Sequence, residues 1–223
     1  VPGWFFAFGG DLYDPATGLP TFTRAEHVRA WEWIQEIAQL YPPGQFKFAS
    51  SGGTGPHGFF LGGAFAAVTA ADNSVWRFRE FGPDINFLTG RVPQPEGGRN
   101  GTWGGGPGHV IPVGAAHPRE ARIFLKWVAT EGQRILYERL SLFPTNLREA
   151  ERVRQSLDFE DLRIPLWIQM EERNPRFPLW TTVNSILNLG QNQILSLSAT
   201  PAEVLANLQA EALPLYEQLN LAR

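Results

Sequence analysis

The stretch Thr102-Trp103-Gly104-Gly105-Gly106-Pro107-Gly108-His109-Val110-Ile111-Pro112 decides how the rest of the chain is read. Four glycines fall within the five positions from 104 to 108. Glycine brings no apolar side chain to a core and loses the most freedom on ordering, so such a run needs another reason to exist. Backbone angles closed to other residues are one reason; main-chain N–H and C=O groups that must come close to a ligand are the other. With Trp103 before the glycines and Val110-Ile111 after them, the stretch predicts a binding loop at the end of a buried strand. A plain flexible turn accounts for the glycines alone equally well.

Upstream, Val1 to Phe8 is apolar and aromatic, and Gly9 to Gly18 follows as turn chemistry with paired glycines, Asp14-Pro15 and Thr17-Gly18. Thr23-Arg24-Ala25-Glu26 has capping-box spacing and predicts a helix start. Val28, Trp31, Ile37 and Leu40 recur near helical period until Pro42-Pro43-Gly44 ends it. Ser50 to Gly58 reads as a surface loop, and no Lys follows its last glycine as a phosphate-binding loop would require. Phe59 to Ala70 is a short apolar run that predicts a buried strand, with Ala71-Asp72-Asn73-Ser74-Val75-Trp76 as its polar exit. Strand ends are where open α/β sheets place ligands. Ile85 to Thr89 predicts another strand.

Downstream, His117-Pro118-Arg119-Glu120 opens a helix with Pro at its first position, and Ala121, Phe124, Leu125 and Val128 form its expected buried face. Thr130-Glu131-Gly132-Gln133 reads as a second N-cap, with Ile135, Leu136 and Leu140 inward. Phe143-Pro144-Thr145-Asn146 breaks that helix, and Asn146 to Glu149 caps the next. Residues 147 to 175 are charged and helical with a break at Pro165, and a proline-clamped segment around Trp180 leads into a helix through Val183, Ile186 and Leu187. Thr200-Pro201-Ala202-Glu203 combines cap, first-turn proline and third-position carboxylate, the clearest helix start in the chain. Val204, Leu208, Leu215 and Leu219 supply its stripe, with a kink expected at Pro214.

Composition narrows the function classes. At 223 residues and 43% hydrophobic content the chain can bury one or two cores. A net charge of -3 gives no basic field, which disfavours nucleic acid and anionic membranes as partners. There is no cysteine, so thiolate catalysis, disulfides and Cys-based metal sites are excluded. Histidines 27, 57, 109 and 117 form no ligand pair, no Gly-x-Ser-x-Gly elbow is present, and neither metal nor cofactor is expected. Eight Trp, several in loop-like sequence, point to a surface that grips something amphipathic.

Taken in order, Gly9-Gly10-Asp11-Leu12-Tyr13-Asp14 before a helix, Phe60-Leu61-Gly62-Gly63-Ala64-Phe65-Ala66-Ala67-Val68, Thr102-Trp103-Gly104-Gly105-Gly106 with Gly108 and Val110-Ile111-Pro112, Pro118 with Ala121, Phe124 and Leu125, then Glu131, Gln133 and Phe143-Pro144-Thr145-Asn146 carry a resemblance. The chain resembles the extracellular solute-binding proteins of ABC importers, in the carbohydrate-binding branch that includes maltose-binding protein. The resemblance implies an α/β fold of the type II periplasmic-binding-protein kind: two lobes, a hinge, and ligand held in the cleft between them. Only the later portion of such a chain is matched. Residues 1–108 would belong to the C-terminal lobe, 109–143 would return to the N-terminal lobe, and 144–223 would supply C-terminal-lobe helices. The rest of the N-terminal lobe would come from elsewhere, for instance a companion fragment. Implied partners are a carbohydrate or polyol ligand and the ABC permease subunits. The implied location is periplasmic, or outside the cytoplasmic membrane as an anchored lipoprotein, although no signal segment is read here.

A sugar presents flat C–H faces and a ring of hydroxyls, which calls for aromatic surfaces and directional donors and acceptors. Trp103 and Trp180 are the aromatic candidates; packing at the base of a lobe is their other use. Gly104, Gly105 and Gly106 would offer bare main-chain groups. Asp72 and Asn73 match the family's strand-end ligand position, where many members carry Trp in place of Asn73. Asp11 and Tyr13 would reach the cleft, though an Asp in a turn also caps its own backbone. The alternative is a glycosidase that uses Asp11, Asp14 or Asp72 as its two carboxylates, and no spacing among them is diagnostic. The expected function is therefore a non-catalytic receptor that binds a sugar or oligosaccharide and delivers it to a permease.

Overall fold

The computed structural model describes residues 2–40, 55–102, 108–158, 160–171 and 178–221. In chain order the described elements are α1 (Pro2–Ala7), β1 (Tyr13–Asp14), β2 (Leu19–Pro20), α2 (Ala25–Gln39), α3 (Gly55–Leu61), α4 (Ser74–Phe81), α5 (Pro118–Trp127), a π turn (Val128–Gly132), α6 (Gln133–Leu140), α7 (Leu147–Ser156), α8 (Ile164–Glu171), α9 (Trp180–Leu195) and α10 (Pro201–Leu221). The fold is mostly helical with a small sheet. Two compact units divide the chain. The first takes Val1–Gly53, Val92–Gly104 and Glu172–Arg223; the second takes Thr54–Arg91 and Gly105–Glu171.

The first unit is built on three amphipathic helices. Helix α2 buries His27, Ala30, Trp31, Ile34 and Ala38, spaced three or four apart so that they share one face. Helix α9 buries Val183, Ile186, Leu187, Gly190 and Ile194, and α10 contributes Val204, Leu205, Leu208, Ala212 and Tyr216. These join Phe5, Phe6, Leu12 and Phe22 in one core. Each fully buried large side chain there is worth about 1.5–3 kcal/mol relative to its exposed state. At Gly190 side chains of the other two helices press against the α9 backbone. A Cβ there would lie 2.5 Å from Leu208 Cδ1, 2.8 Å from Trp31 Cη2 and 2.9 Å from Val204 Cγ1.

Local chemistry sets the start of α10. Thr200 donates its N–H to Glu203 (3.1 Å), and its hydroxyl oxygen accepts from the Glu203 N–H (3.4 Å), a reciprocal capping box. The helix then runs through Pro214 to Leu221. From its middle, Gln209 reaches the other end of the chain: its amide donates to Pro20 O (2.6 Å) and accepts from the Phe22 N–H (2.7 Å). That pair of bonds pins the exit of the hairpin, in which Tyr13 faces Pro20 and Asp14 faces Leu19.

The second unit has a smaller buried set, with Val75, Phe78, Tyr137 and Val153 inside. Phe78 meets Phe60 at 4.8 Å and Phe87 edge-on at 5.5 Å between centroids. Phe143 stacks on Tyr137 and receives Trp167 edge-on at 5.1 Å. Between α6 and α7 the turn is held by Gln133, whose side-chain carbonyl accepts from the Thr145 and Asn146 N–H groups at 2.8 Å each. Asn146 then caps α7 as expected, accepting from the N–H groups of Arg148 (3.0 Å) and Glu149 (3.3 Å).

Several sequence expectations are overturned. Phe59 to Ala70 is not a buried strand: it starts inside α3, and beyond Leu61 its residues are exposed or half-buried with no ladder partner. Residues 85–89 and 110–111 are likewise outside any strand, and Val110 is 83% exposed. Gly55 to Gly58 belong to α3 rather than to a loop. The capping box predicted at Thr23 does not form, since Arg24 holds the N-cap position without a side-chain bond. Position 130 is no helix start, because α5 continues into α6 through the π turn. The expected buried face of α5 buries nothing, and on α6 it is Tyr137, not Ile135 or Leu136, that goes inward. Among the described residues, no helix is long and apolar enough to cross a membrane.

Candidate functional site

The first unit carries a half-buried aromatic surface that the sequence reading missed. Trp4 on α1 and Trp33 on α2 meet at 4.8 Å between ring centroids, and Phe8 joins Trp33 at 6.0 Å. All three are half-buried and pack against the core, so part of each side chain is left open to solvent. Trp33 lies off the buried stripe of α2, on its flank. A large aromatic displaced from the helical stripe was the available signal.

Backbone packing brings the segment before the glycine tract to the same place. A Cβ on Gly3 would lie 2.9 Å from Gly101 O, and one on Gly101 would lie 2.7 Å from Gly3 O, so α1 and this segment approach closely because both positions are glycine. The Arg99 N–H donates to Ala7 O (3.2 Å), and the Arg99 guanidinium donates to Gly10 O (2.7 Å) while lying over the Phe6 ring. Thr102 is buried here, with its hydroxyl donating to the Asn100 side chain (2.9 Å). Trp103, Gly104, Gly105 and Gly106 lie outside the described residues.

Two other expected site residues of this unit prove to have structural tasks. The Asp11 carboxylate pairs with Arg99, and the Asp11 carbonyl accepts from the Thr21 hydroxyl. Tyr13 stacks on Tyr216 at 5.7 Å, and Tyr216 in turn donates its hydroxyl to Pro178 O (2.9 Å). Burial and the neighbouring Tyr13 push the Tyr216 hydroxyl above its ordinary pKa, so it stays a neutral donor. Trp180 opens α9 half-buried against the core, directly after Leu179 in the left-handed region (φ 56°).

In the second unit, the Asp72 carboxylate is engaged by two backbone N–H groups. One carboxylate oxygen accepts from the Asn73 N–H (2.9 Å) and the other from the Phe143 N–H (3.0 Å), which ties the entry of α4 to the segment between α6 and α7. Asn73 stands at the N-cap of α4, half-buried, without a capping bond from its side chain. Nearby, Arg163 holds Asp161 in a two-pronged contact and lies 4.5 Å from the Tyr137 ring. That guanidinium keeps the Asp161 carboxyl below its ordinary range, while burial pushes the Tyr137 phenol up to about 12. A depression of about 550 Å³ lies at the start of α7, between Thr130 and Arg152, and no aromatic ring lines it.

The glycosidase alternative asks for a carboxyl group with a raised pKa to serve as proton donor. Where carboxyls depart from their ordinary range, at Asp14, Asp161 and Glu203, hydrogen bonds from Ala16, Arg163 and Thr200 take them down. Among the described residues, no group of three His, Asp or Glu could hold a metal ion.

The sequence matches no known protein-family profile and no curated protein. It is similar in fold to two solved structures, CpMnBP1 with mannotriose bound and CpMnBP1 with mannobiose bound. The first is matched over 92% of this chain with a TM-score of 0.73, the second over 95% with a TM-score of 0.76, each at 20% identity. The chain spans 55% and 56% of those chains, a little over half of their length.

Proposed function

We propose that this chain is the larger part of a carbohydrate receptor, the solute-binding component of an importer that hands its cargo to a membrane permease. One observation carries the reading: more than nine-tenths of the chain follows the fold of a protein solved with manno-oligosaccharides bound. The fold is then of the type II periplasmic-binding kind, and the protein works outside the cytoplasmic membrane without catalysing a reaction on its cargo. A pyranose C–H face stacks on aromatic surface that solvent can reach, and the half-buried cluster of Trp4, Phe8 and Trp33 supplies such a surface. Trp103, with Gly104, Gly105 and Gly106, follows in sequence from Thr102, which packs in the same unit as that surface. Trp180 is a further stacking candidate. Asp11, Tyr13 and Asp72 help hold the framework, and Asn73, half-buried at the start of α4, stays a ligand candidate.

Titration of the protein with mannobiose, mannotriose and a panel of unrelated disaccharides, followed by tryptophan fluorescence and calorimetry, tests this. The expected result is saturable binding with no change in the sugar. Trp33→Ala should weaken it by about 1 kcal/mol or more, a several-fold rise in Kd, if the ring stacks on sugar. Release of free mannose would point to an enzyme, and silence across the panel would remove the carbohydrate reading.

A further inference from the structure

His27 of α2 is wholly buried, and the turn after α1 is seated on its ring. Its Nδ1 lies 3.3 Å from Phe22 O. A carbonyl only accepts, so Nδ1 carries the hydrogen and Nε2 the lone pair of the neutral imidazole. Nε2 has no hydrogen-bond partner. What it meets is Gly10: a Cβ there would lie 2.2 Å from Nε2, 2.3 Å from Cδ2 and 3.3 Å from Cε1, and these ring atoms are its nearest neighbours. Gly9 has a left-handed backbone (φ 90°) and Gly10 does not, so it is the imidazole that calls for glycine at position 10. Gly10 also joins two pieces of the unit. Its N–H donates to Phe5 O (2.9 Å), closing α1, and its carbonyl accepts from the Arg99 guanidinium (2.7 Å). With the Arg99 N–H on Ala7 O (3.2 Å), the segment that runs through Thr102 to Trp103 is fastened to α1 by way of the peptide that rests on His27.

We infer that His27 is a proton-operated latch: when Nε2 takes up a proton, its new N–H faces the Gly10 α-carbon with no acceptor, the Gly10 turn moves off the ring, and Arg99 with the segment behind it comes away from α1. An unpaired buried charge is costly, and opening the turn is what lets water reach it. Burial takes the imidazole from 6.5 down to about 4. Between those values the closed turn binds no proton and the opened one does, so the latch is shut above pH 6.5 and yields as pH falls toward 4. On its own side of the ring Glu26 favours the proton and Arg24 opposes it. Across Gly10, the Arg99 guanidinium is paired with Asp11. Phe5, which packs on the ring at 4.7 Å, and the hairpin exit at Thr21 and Phe22 bring no charge. Helix α1 carries Trp4 and Phe8, and the fastened segment leads to Trp103, so loss of cargo in acid is the corollary. That corollary rests on the carbohydrate reading; the latch does not.

Hydrogen exchange, normalised to unstructured peptide at each pH, tests the latch with no sugar present. Between pH 7.5 and 4.5 the protection of the Gly10 and Arg99 amides should fall roughly 50- to 100-fold, the change implied by a shift from 6.5 to about 4. This opening is local, so it should respond weakly to urea, while Leu187 on α9 stays better protected and keeps the steep urea dependence of global unfolding. His27→Leu should abolish the acid fall at Gly10 and Arg99. Gly10→Ala, whose methyl would press on Nε2, should open the same amides already at pH 7.5, and adding His27→Ala to it should restore their protection. Unchanged protection at pH 4.5, exchange of Gly10 and Arg99 in step with Leu187 at every urea concentration, or an acid fall that survives His27→Leu would each overturn the proposal. The unsubstituted protein decides the first two even where a variant does not fold. Titration with mannotriose at pH 7.5 and 4.5 runs alongside: silence at both with an intact latch counts against the carbohydrate reading alone, and equal affinity at both with an opened latch against the corollary.

Discussion

Helix α2 of the first unit and helix α5 of the second carry the same kind of signal, apolar residues at three- and four-residue spacing, and meet opposite fates. Trp31 on α2 is wholly buried between α9 and α10, while Trp127 on α5 is nearly half exposed. Amphipathic spacing says that a face wants covering; it does not say whether the cover is present. The difference teaches that in a chain of this kind the completeness of each core must be judged unit by unit, from burial rather than from pattern.

Substitutions can break that contrast. The largest effect is expected for Trp31→Ala, which empties the centre of the first core and should cost about 3–5 kcal/mol in denaturant unfolding. A loss below about 1 kcal/mol would mean that this core is not the stabilising one.

Acid should separate the units next. His27 is fully buried, with its Nε2 unpartnered, and burial lowers its pKa from 6.5 to about 4. The unfolded chain therefore binds a proton at His27 between those values while the folded chain does not. Stability is full above pH 6.5 and falls as pH drops toward 4, by about 3 kcal/mol in all. In the second unit, Asp161 is held below its usual range by Arg163, so the stability from that pair is present above about pH 4 and is lost only at lower pH. Exchange of amides on α2 and α9 should accelerate between pH 6.5 and 4.5 while those of α6 and α8 hold; equal acceleration would contradict it.

A smaller effect belongs to Gly190→Ala. A helix interior gains roughly 1 kcal/mol from alanine over glycine, but three side chains stand under 3 Å from the new methyl, and overpacking costs about 1–3 kcal/mol. The net expectation is a loss of about 1 kcal/mol, read from the unfolding midpoint; a gain would show that the contact between α9 and α10 can yield. Smallest of all, Trp127→Ser in the 223-residue chain should change stability by no more than about 0.5 kcal/mol, as for other exposed positions. A larger loss would show that α5 is covered after all.

What the sequence made legible were features settled within a few residues. The Thr200–Glu203 box, the Asn146 cap and the proline start of α5 all formed where predicted, since each needs only its own turn. Phe59 to Ala70 failed because a short apolar run does not distinguish strand from helix, and a strand needs a partner elsewhere to pair with. Asp72 was legible as a polar group at the end of an apolar run. Its task was not, because the N–H that claims it belongs to Phe143, 71 residues away. Trp33 was not legible because it stands off the stripe that Trp31 defines. Of the residues expected to hold ligand, Asp11 and Asp72 became anchors of the backbone, while the aromatic surface arose from packing between α1 and α2 that no local motif announces.

The grip of Gln209 on Pro20 and Phe22 has a consequence for synthesis. The hairpin leaves the ribosome almost two hundred residues before the amide that fastens its exit, which is made along with Val204, Leu205 and Leu208 of the same core. All the segments of the second unit emerge before that point. Translation therefore completes the segments of the second unit before those of the first, and the aromatic residues of α1 wait, unsealed, for α10 to arrive.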